Sequence, residues 1–496
     1  MKDLIQKSTS KPGIAYLNSG SNGKPITIIG NEHILSTLEE GCLQQAINSR
    51  NAPGVNQLVI TPDSHQGYGC PVGSVLVSDT MVYPGPVGPD IKCSMSLLQS
   101  NVPADEIKSK KIRRELINAI QERIPTGNTK RVTDRGFCKK ASFNEIVRAV
   151  ICYGVGSSLE TLNFFRIPED WVGRLEDKSF GSPDELWQRY EELIELGIFS
   201  ENYDNFNQIG SIGGGNHFIE GSITELIAGE EQISQGFGLR NGCVSFLSHF
   251  GSRGFGYKLA NNQFKSLEHK FKAWGISLPG GDKELVYAPI DSIEGQNYLR
   301  DMSLGANFGT LNHLVVNVLL KEALAEVFPG SKSELVYHIS HNIIREEVID
   351  GKKSLVHRKG STRAYPANHF SLRDTNYYTT GHPILLPGNS INGSYVMVAN
   401  EGAVDSCFSI NHGAGRQMGR KAAERTFTQT AVDAEMDQAD IVSNCRNYPV
   451  DEYMGVYKDF EQVTQSVELA NLARRVARLI PKISIKDADT SLKGVA

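Results

Sequence analysis

Several short segments of this chain set a metal-binding or nucleophilic side chain beside glycine or other small residues. The run Asn411-His412-Gly413-Ala414-Gly415-Arg416 carries one histidine on a backbone almost bare of side chains, with an arginine four residues later. Small residues let a phosphate approach main-chain N–H groups closely. Arginine supplies a planar clamp for phosphate oxygens. A histidine in that setting can act as base, metal ligand or nucleophile.

Five further segments repeat the theme. Gly88-Pro89-Asp90-Ile91-Lys92-Cys93 offers a carboxylate and a thiol at i and i+3. Gly213-Gly214-Gly215-Asn216-His217-Phe218-Ile219-Glu220 offers His and Glu beside a triple glycine. Ser248-His249-Phe250-Gly251-Ser252-Arg253-Gly254 and His338-Ile339-Ser340-His341-Asn342 each close an apolar run, and His357-Arg358-Lys359-Gly360-Ser361-Thr362-Arg363 follows. Taken singly, His249 or His341 reads as a core histidine and Cys93 as a buried thiol. Taken together, histidine, cysteine and aspartate suit a borderline divalent metal such as Mn²⁺ or Zn²⁺, not Ca²⁺ or an all-oxygen Mg²⁺ site. A thiolate can bridge two metals. Such donors paired with arginines and glycine loops imply phosphoryl or nucleotidyl transfer.

The 496 residues carry a formal net charge of −5, which excludes a globally basic nucleic-acid binder. Any such site must be a local groove, and the basic run at 352–363 is the candidate. The start of the chain shows no apolar signal segment, and no run is long enough to span a membrane. The eight cysteines are scattered without a CxxC pair, so a zinc ribbon is not expected. They are expected to be mostly buried, in a protein of the reducing cytoplasm.

The elements that must position these segments follow from periodicity. A strand over 57–61 leads into a Gly- and Pro-rich stretch that runs to Gly88. Helices are expected over 105–124, 143–164 and 183–196, so residues 100–205 read as a helical insertion. Further strands are expected at 243–247, 334–337, 383–386 and 395–398, and helices at 310–327, 416–428 and 460–480. Asp459 and Gln462 are placed as a capping box for the last of these. Neither a GxGxxG after a strand nor a Walker A motif occurs. The expected class is α+β: one large domain, mixed sheets around a central metal and nucleotide cleft, with loops carrying the chemistry.

In this order along the chain, Asp90 to Cys93, Gly215 to Glu220, His249 to Gly254, His341-Asn342, His357 to Gly360, Ser394-Tyr395, His412 to Arg416 and Tyr457 to Asp459 resemble the RtcB family of tRNA-splicing and RNA-repair ligases. The resemblance spans about 55–486. It implies an RNA ligase that uses GTP and two Mn²⁺ ions to join RNA 3′-phosphate or 2′,3′-cyclic phosphate ends to 5′-hydroxyl ends, and it leaves open an archease-like activator. By resemblance, His412 is the nucleophile that takes GMP from GTP. Cys93 bridges the metals; Asp90 and His217 complete one site, and His249 and His341 the other. Asn216, Glu220, Asn389, Ser394, Gly413, Ala414, Gly415, Tyr457 and Lys486 match nucleotide contacts together with His412. Arg253 and Arg416 match phosphate clamps. Asp63 and His65 match a segment near the metals.

The chain departs from the usual family pattern at Pro89, Ser94, Phe250 and Asn389, and a tail over 487–496 extends past the matched lysine. It reads as a divergent paralogue. The rival functions are a dinuclear-metal phosphoesterase or nuclease that retains the metals without ligation, and a non-catalytic RNA-binding protein. The first has no use for His412 and Glu220; the second leaves the metal-type residues unexplained.

Overall fold

The computed structural model describes residues 1–18, 24–127, 140–176, 180–201 and 206–487. Among these, helices and several sheets mix as an α+β fold. One sheet runs, in spatial order, Ile5–Lys7, Ile14–Asn18, Pro25–Ile29, Val55–His65, Val72–Ser78, Lys352–Lys359, Asn342–Ile349. The other runs Ser333–Ser340, Ser94–Pro103, Cys243–Phe250, Phe218–Leu226, Ala473–Ile485, Gly393–Ala399, Pro383–Asn389. Alternation along the strands divides their faces. Val59, Val75, Val77 and Val356 meet Ile384, Leu386 and Met397 in a core shared by the two sheets. Leu58, Ile60 and Leu76 point the other way, onto Leu43 and Ala46 of the helix Glu40–Arg50.

A helical layer backs the second sheet. Its axis is Ile293–Val327, a 35-residue helix buried along most of its length. Lys110–Arg123, Lys140–Tyr153, Pro183–Glu195 and Arg253–Trp274 pack on it. Leu116, Ile120, Leu311 and Val315 join Leu98 and Phe246 of the sheet in one cluster. The long helix also seats the Asp90–Cys93 turn. A Cβ added at Gly305 would lie 2.9 Å from Ile91 Cγ2, and one at Gly309 2.9 Å from Lys92 Cγ. Only glycine lets that turn approach so closely.

The expected strands all form, most of them longer at one or both ends. Several helices differ. The expected helix at 460–480 is a helix only over Phe460–Leu469. Asn471 turns left-handed at φ 54°, and Ala473–Ile485 is a strand paired on both sides. Tertiary pairing overrides the helical spacing there. Asp459 does cap this helix, accepting from the Glu461 and Gln462 N–H groups, but the Gln462 side chain accepts from Asn31 Nδ2 (2.9 Å). The span 143–164 is broken at Gly154 (φ 86°) into Lys140–Tyr153 and Leu159–Phe165, the second capped by Ser158. The helix expected at 310–327 starts at Ile293, because its first turns carry small and polar residues that hide the apolar period. The span 416–428 yields Arg420–Thr426, and a separate helix Gln429–Gln438 is capped by Thr428. Residues 110–123 are helical after a 3₁₀ turn at Ala104–Ile107, and Pro183–Glu195 opens on a capping box of Ser182 and Glu185.

The basic run at 352–363 is not a nucleic-acid groove. It forms two strands whose central side chains point inward. Arg358 makes a bidentate pair with Glu347 (2.6 and 2.8 Å), both buried, and donates to Ser409 Oγ (2.9 Å). His357 is buried between the Tyr83 N–H and the Leu76 carbonyl, and burial pulls its pKa to about 4. Arg363 faces Glu176 at 3.4 Å, while the exposed Lys352 and Lys353 pair with Asp79 and Glu346. Lys359 alone of the run's cations reaches the cleft described below. Cys42, Cys70, Cys93, Cys152, Cys407 and Cys445 are buried and Cys243 is half-buried; Cys138 and residues 488–496 of the tail lie outside the described residues. Among the described residues no helix is long and apolar enough to cross a membrane.

Removing one member of the Arg358–Glu347 pair leaves a buried charge unmatched. Glu347→Gln is expected to destabilise the fold by about 3–5 kcal/mol, read as a lower denaturant midpoint at unchanged slope. The double variant Arg358→Met/Glu347→Leu should recover most of the loss.

Candidate active site

Four strand ends and one turn bring the predicted metal donors together. Cys93 precedes the strand Ser94–Pro103, and its N–H closes a turn on the Asp90 carbonyl (3.2 Å). His249 sits near the end of Cys243–Phe250, opposite both Met95 and Phe218, which places His217 beside it. His341 follows Ser333–Ser340, and its N–H donates to the Cys93 carbonyl (2.9 Å). The donor atoms converge. Cys93 Sγ lies 3.3 Å from His249 Nε2 and 3.5 Å from His217 Nε2. His249 and His341 Nε2 atoms are 3.2 Å apart, and His217 Nε2 is 3.1 Å from Asp90 Oδ2. Two donor groups result, Asp90/Cys93/His217 and Cys93/His249/His341, each within 4.8 Å and sharing the thiol.

Burial and the neighbouring imidazoles hold His249 and His341 far below the usual histidine pKa, so both are neutral and able to ligate. Asp90 stays ionised: burial acts to raise its pKa, but the His217 hydrogen bond and charge outweigh it. Burial and the Asp90 carboxylate push the Cys93 thiol up. One thiol, three imidazoles and a carboxylate with their donor atoms this close fit borderline divalent cations.

His412 follows the short strand Ser409–Asn411, which pairs with Ser361–Arg363. Its Nδ1 lies 2.9 Å from Asp63 Oδ2 and 2.9 Å from the Gly360 carbonyl. Both are acceptors, so Nδ1 carries the proton and Nε2 keeps the lone pair. Asp63 is wholly buried, and its other oxygen accepts from Thr61 Oγ1 (2.6 Å). Lys458 Nζ steadies the same segment through the Pro62 and Ser64 carbonyls (3.0 and 2.6 Å). Gly415 (φ 75°) is required by packing as well: a Cβ there would stand 2.1 Å from the Asp63 carbonyl oxygen. The His412 ring is 4.5 Å from that of His341, and both line a cleft of about 390 Å³.

Strands of both sheets contribute to the wall of that cleft. Glu220, Asn389 and Ser394 come from the second sheet, with Lys486 just past it, and Asn216, Gly413, Ala414, Gly415, Arg416 and Tyr457 line it as well. His65, Val72 and Lys359 come from the first sheet, and Tyr68 and Val87 line it too. Asp90, Cys93, His249, His341 and His412 are on the same wall. Burial raises Glu220 to about 8 against the attraction of Lys486 and hydrogen bonds from Ser222 and Ser394. His217 stands behind Asp90 and Cys93. Arg253 is not on the wall: it donates to the Gly127 carbonyl (2.6 Å) and Ser211 Oγ (3.2 Å). The Asn389 side chain is engaged with the Ile391 and Asn392 N–H groups of its own turn (3.1 and 2.8 Å). Phe250 and Ser94 also have local partners. Phe250 stacks flat on His313 (3.8 Å between centroids), and Ser94 Oγ donates to the Lys92 carbonyl (2.7 Å).

Sequence reasoning missed Glu452 and Arg420. Buried Glu452 accepts from Tyr457 Oη (2.6 Å), Lys486 Nζ (3.1 Å) and Arg416 Nη1 (3.3 Å), and Arg420 Nη1 is 3.1 Å away. The cations outweigh burial and keep it ionised. Glu452 stands in the run Val450-Asp451-Glu452-Tyr453-Met454-Gly455, with no histidine or cysteine beside it, so little local marks it. Asp63 matches only a segment near the metals by sequence; its carboxylate meets His412, 349 positions away.

The family model described as tRNA-splicing ligase RtcB matches residues 45–487. The tRNA-splicing ligase RtcB of Thermococcus kodakarensis is 32% identical, over 89% of this chain and 90% of the relative. That of Nanoarchaeum equitans is 32% identical over 94% and 96%. The RNA-splicing ligase RtcB of Mycobacterium tuberculosis is 31% identical over 89% of this chain and all of its own length. With a match this long and relatives this fully covered, the chain belongs to the RtcB family.

Proposed function

We propose that this protein is an RNA ligase that uses GTP and Mn²⁺ to join a 3′-phosphate or 2′,3′-cyclic phosphate end to a 5′-hydroxyl end. The observation that carries the reading is His412, with Nδ1 held by buried Asp63 and the Gly360 carbonyl beside a soft donor cluster. Nε2 is then the nitrogen left to attack the α-phosphorus of GTP, forming an N–P bond as the bond to pyrophosphate breaks. The RNA 3′-phosphate next takes GMP from His412, which returns to its neutral form. The 5′-hydroxyl then attacks the activated phosphate, loses its proton, and GMP leaves. A cyclic phosphate is first opened by water.

Asp90, Cys93, His217, His249 and His341 would hold the two cations, which supply charge neutralisation at the phosphate oxygens. Asp63 fixes the tautomer and favours the positive charge that His412 gains on attack. Gly413 to Gly415 admit the phosphates, and Arg416 and Arg420 offset their charge from the Glu452 side. Glu220 accepts from guanine N–H groups in this reading, with Ser394, Tyr457 and Lys486 lining the same cleft. Arg253 would have to leave Gly127 and Ser211 to meet a phosphate. A phosphoesterase would make no use of the His412–Asp63 pair, so ligation is the better reading. The cytoplasm is the compartment that fits a thiol-dependent site.

With α-labelled GTP and Mn²⁺, the protein should acquire an acid-labile label after denaturation. His412→Ala should abolish it, and Asp63→Asn should slow it by about 10²–10⁴-fold; an unlabelled wild type with metal bound would sink the reading. Cys93→Ala should lose both cations together by elemental analysis, whereas His217→Ala should lose one; retention of both by Cys93→Ala would rule out a shared thiolate. Because Glu220 must shed a proton held to about 8 before it accepts from guanine, GTP affinity should rise as pH increases from 6 to 8 and level off above. Proton release on titration in buffers of different ionisation enthalpy checks this, and Glu220→Gln should remove it.

A further inference from the structure

We infer that Tyr68 is a stacking platform for a nucleobase of the RNA end that is brought to His412, an inference that rests on the ligase reading above. Tyr68 lines the cleft from the loop between two strands of the first sheet, whereas Glu220 stands on a strand of the second sheet and Lys486 just past one. It is 39% exposed, a large ring left open to solvent on a residue of the cleft wall. Its ring stands at 81° to that of Phe264, with centroids 5.0 Å apart, and Lys359 Nζ lies 5.9 Å from its centre.

The ring is held on a backbone pinned at successive residues. Gln45 grips Gly67 from both sides, accepting from its N–H (3.0 Å) and donating to its carbonyl (2.7 Å). Lys359 Nζ donates to the Tyr68 carbonyl and to that of Gly85 (3.1 Å). The Gly69 N–H donates to Glu284 Oε2 (2.5 Å), and the Cys70 N–H to the Tyr68 carbonyl (2.8 Å). Gly69 is left-handed (φ 70°), and a Cβ there would lie 2.7 Å from the Glu284 carbonyl oxygen. A mobile loop can hide an exposed aromatic; this one cannot. A fixed, open π-surface next to a buried cation is what an unpaired base stacks on, with no sequence preference required. The ligase reading gives the GTP base to Glu220, Ser394 and Tyr457, which offer it hydrogen bonds. The base that meets Tyr68 therefore belongs to RNA.

The test uses the full-length protein with Mn²⁺, GTP and two short oligoribonucleotides, one ending in a 3′-phosphate and one beginning with a 5′-hydroxyl. Each carries 2-aminopurine at the terminal position in a separate arm. Tyr68→Ala should raise the KM for RNA about tenfold, with a smaller change in kcat, and Tyr68→Phe should stay near wild type. Fluorescence of the 2-aminopurine should be quenched on binding to wild type and Tyr68→Phe but not to Tyr68→Ala; the strand that shows this is the one Tyr68 receives. Equal KM and equal quenching for wild type and Tyr68→Ala overturn the inference. GTP labelling of His412 is followed in the same samples, so a failure of the ligase reading shows as absent label, while the quenching arm still decides for or against stacking.

Discussion

The buried ammonium of Lys92 is the constraint on which the rest of the site depends. It is fully enclosed, donates to the Glu176 carbonyl (2.7 Å) and faces the Glu176 carboxylate at 3.7 Å. A charge taken so far from water must keep its partners, which fixes the backbone that bears it. Lys92 takes φ 59°, and the turn presses into the glycine groove of the long helix. Asp90 and Cys93, on either side, are thereby both turned to the cleft. From this point a line of hydrogen bonds leads onward. The Lys92 N–H donates to the Asn342 carbonyl (2.9 Å), Asn342 Oδ1 accepts from the Gly360 N–H (2.9 Å), and the Gly360 carbonyl faces His412 Nδ1. The Asp90–Cys93 turn and His412 are set by one continuous frame.

The cleft divides its electrostatics in the same spirit. Around His412 the groups are neutral imidazoles and one thiol, with Asp63 sunk behind the ring. Elsewhere on the wall Glu452 gathers Arg416, Arg420 and Lys486, and Asp451 pairs with Arg420 as well. Two carboxylates face three cations, which keeps the cations from repelling one another out of register. On the ligase reading these donors are oriented for phosphates before any ligand arrives.

Much of the site was legible because its chemistry is written locally. Asp90 with Cys93, and His412 within glycines, announce themselves within a few residues. The α+β class followed from short apolar runs between polar loops. What stayed hidden depends on distance or burial. The basic run 352–363 looked like a surface for phosphates, yet Glu347 and Glu176, invisible as partners in one dimension, draw Arg358 and Arg363 inside. Ala473–Ile485 carries arginines and alanines that suit a helix, and only its two neighbours make it a strand. Glu452 has no local signature, and Asp63 acquires its meaning from His412. Arg253 matches a phosphate clamp by resemblance, but its guanidinium is committed to Gly127 and Ser211.

The strand Ala473–Ile485 also bears on how the molecule comes into being. It lies between Phe218–Leu226 and Gly393–Ala399 in the middle of the second sheet, yet it leaves the ribosome after both. Until it emerges, each of those strands has an open edge, and Glu220 and Ser394 face each other across a gap. Contacts that join segments so far apart in sequence are slow to form, and open edges invite wrong partners. Glu220 and Ser394 are thus joined late in synthesis, with Lys486 arriving just behind the strand. The metal-type donors, all within residues 90–341, are made well before that, so on the ligase reading proposed above metal capture is free to precede nucleotide binding during maturation.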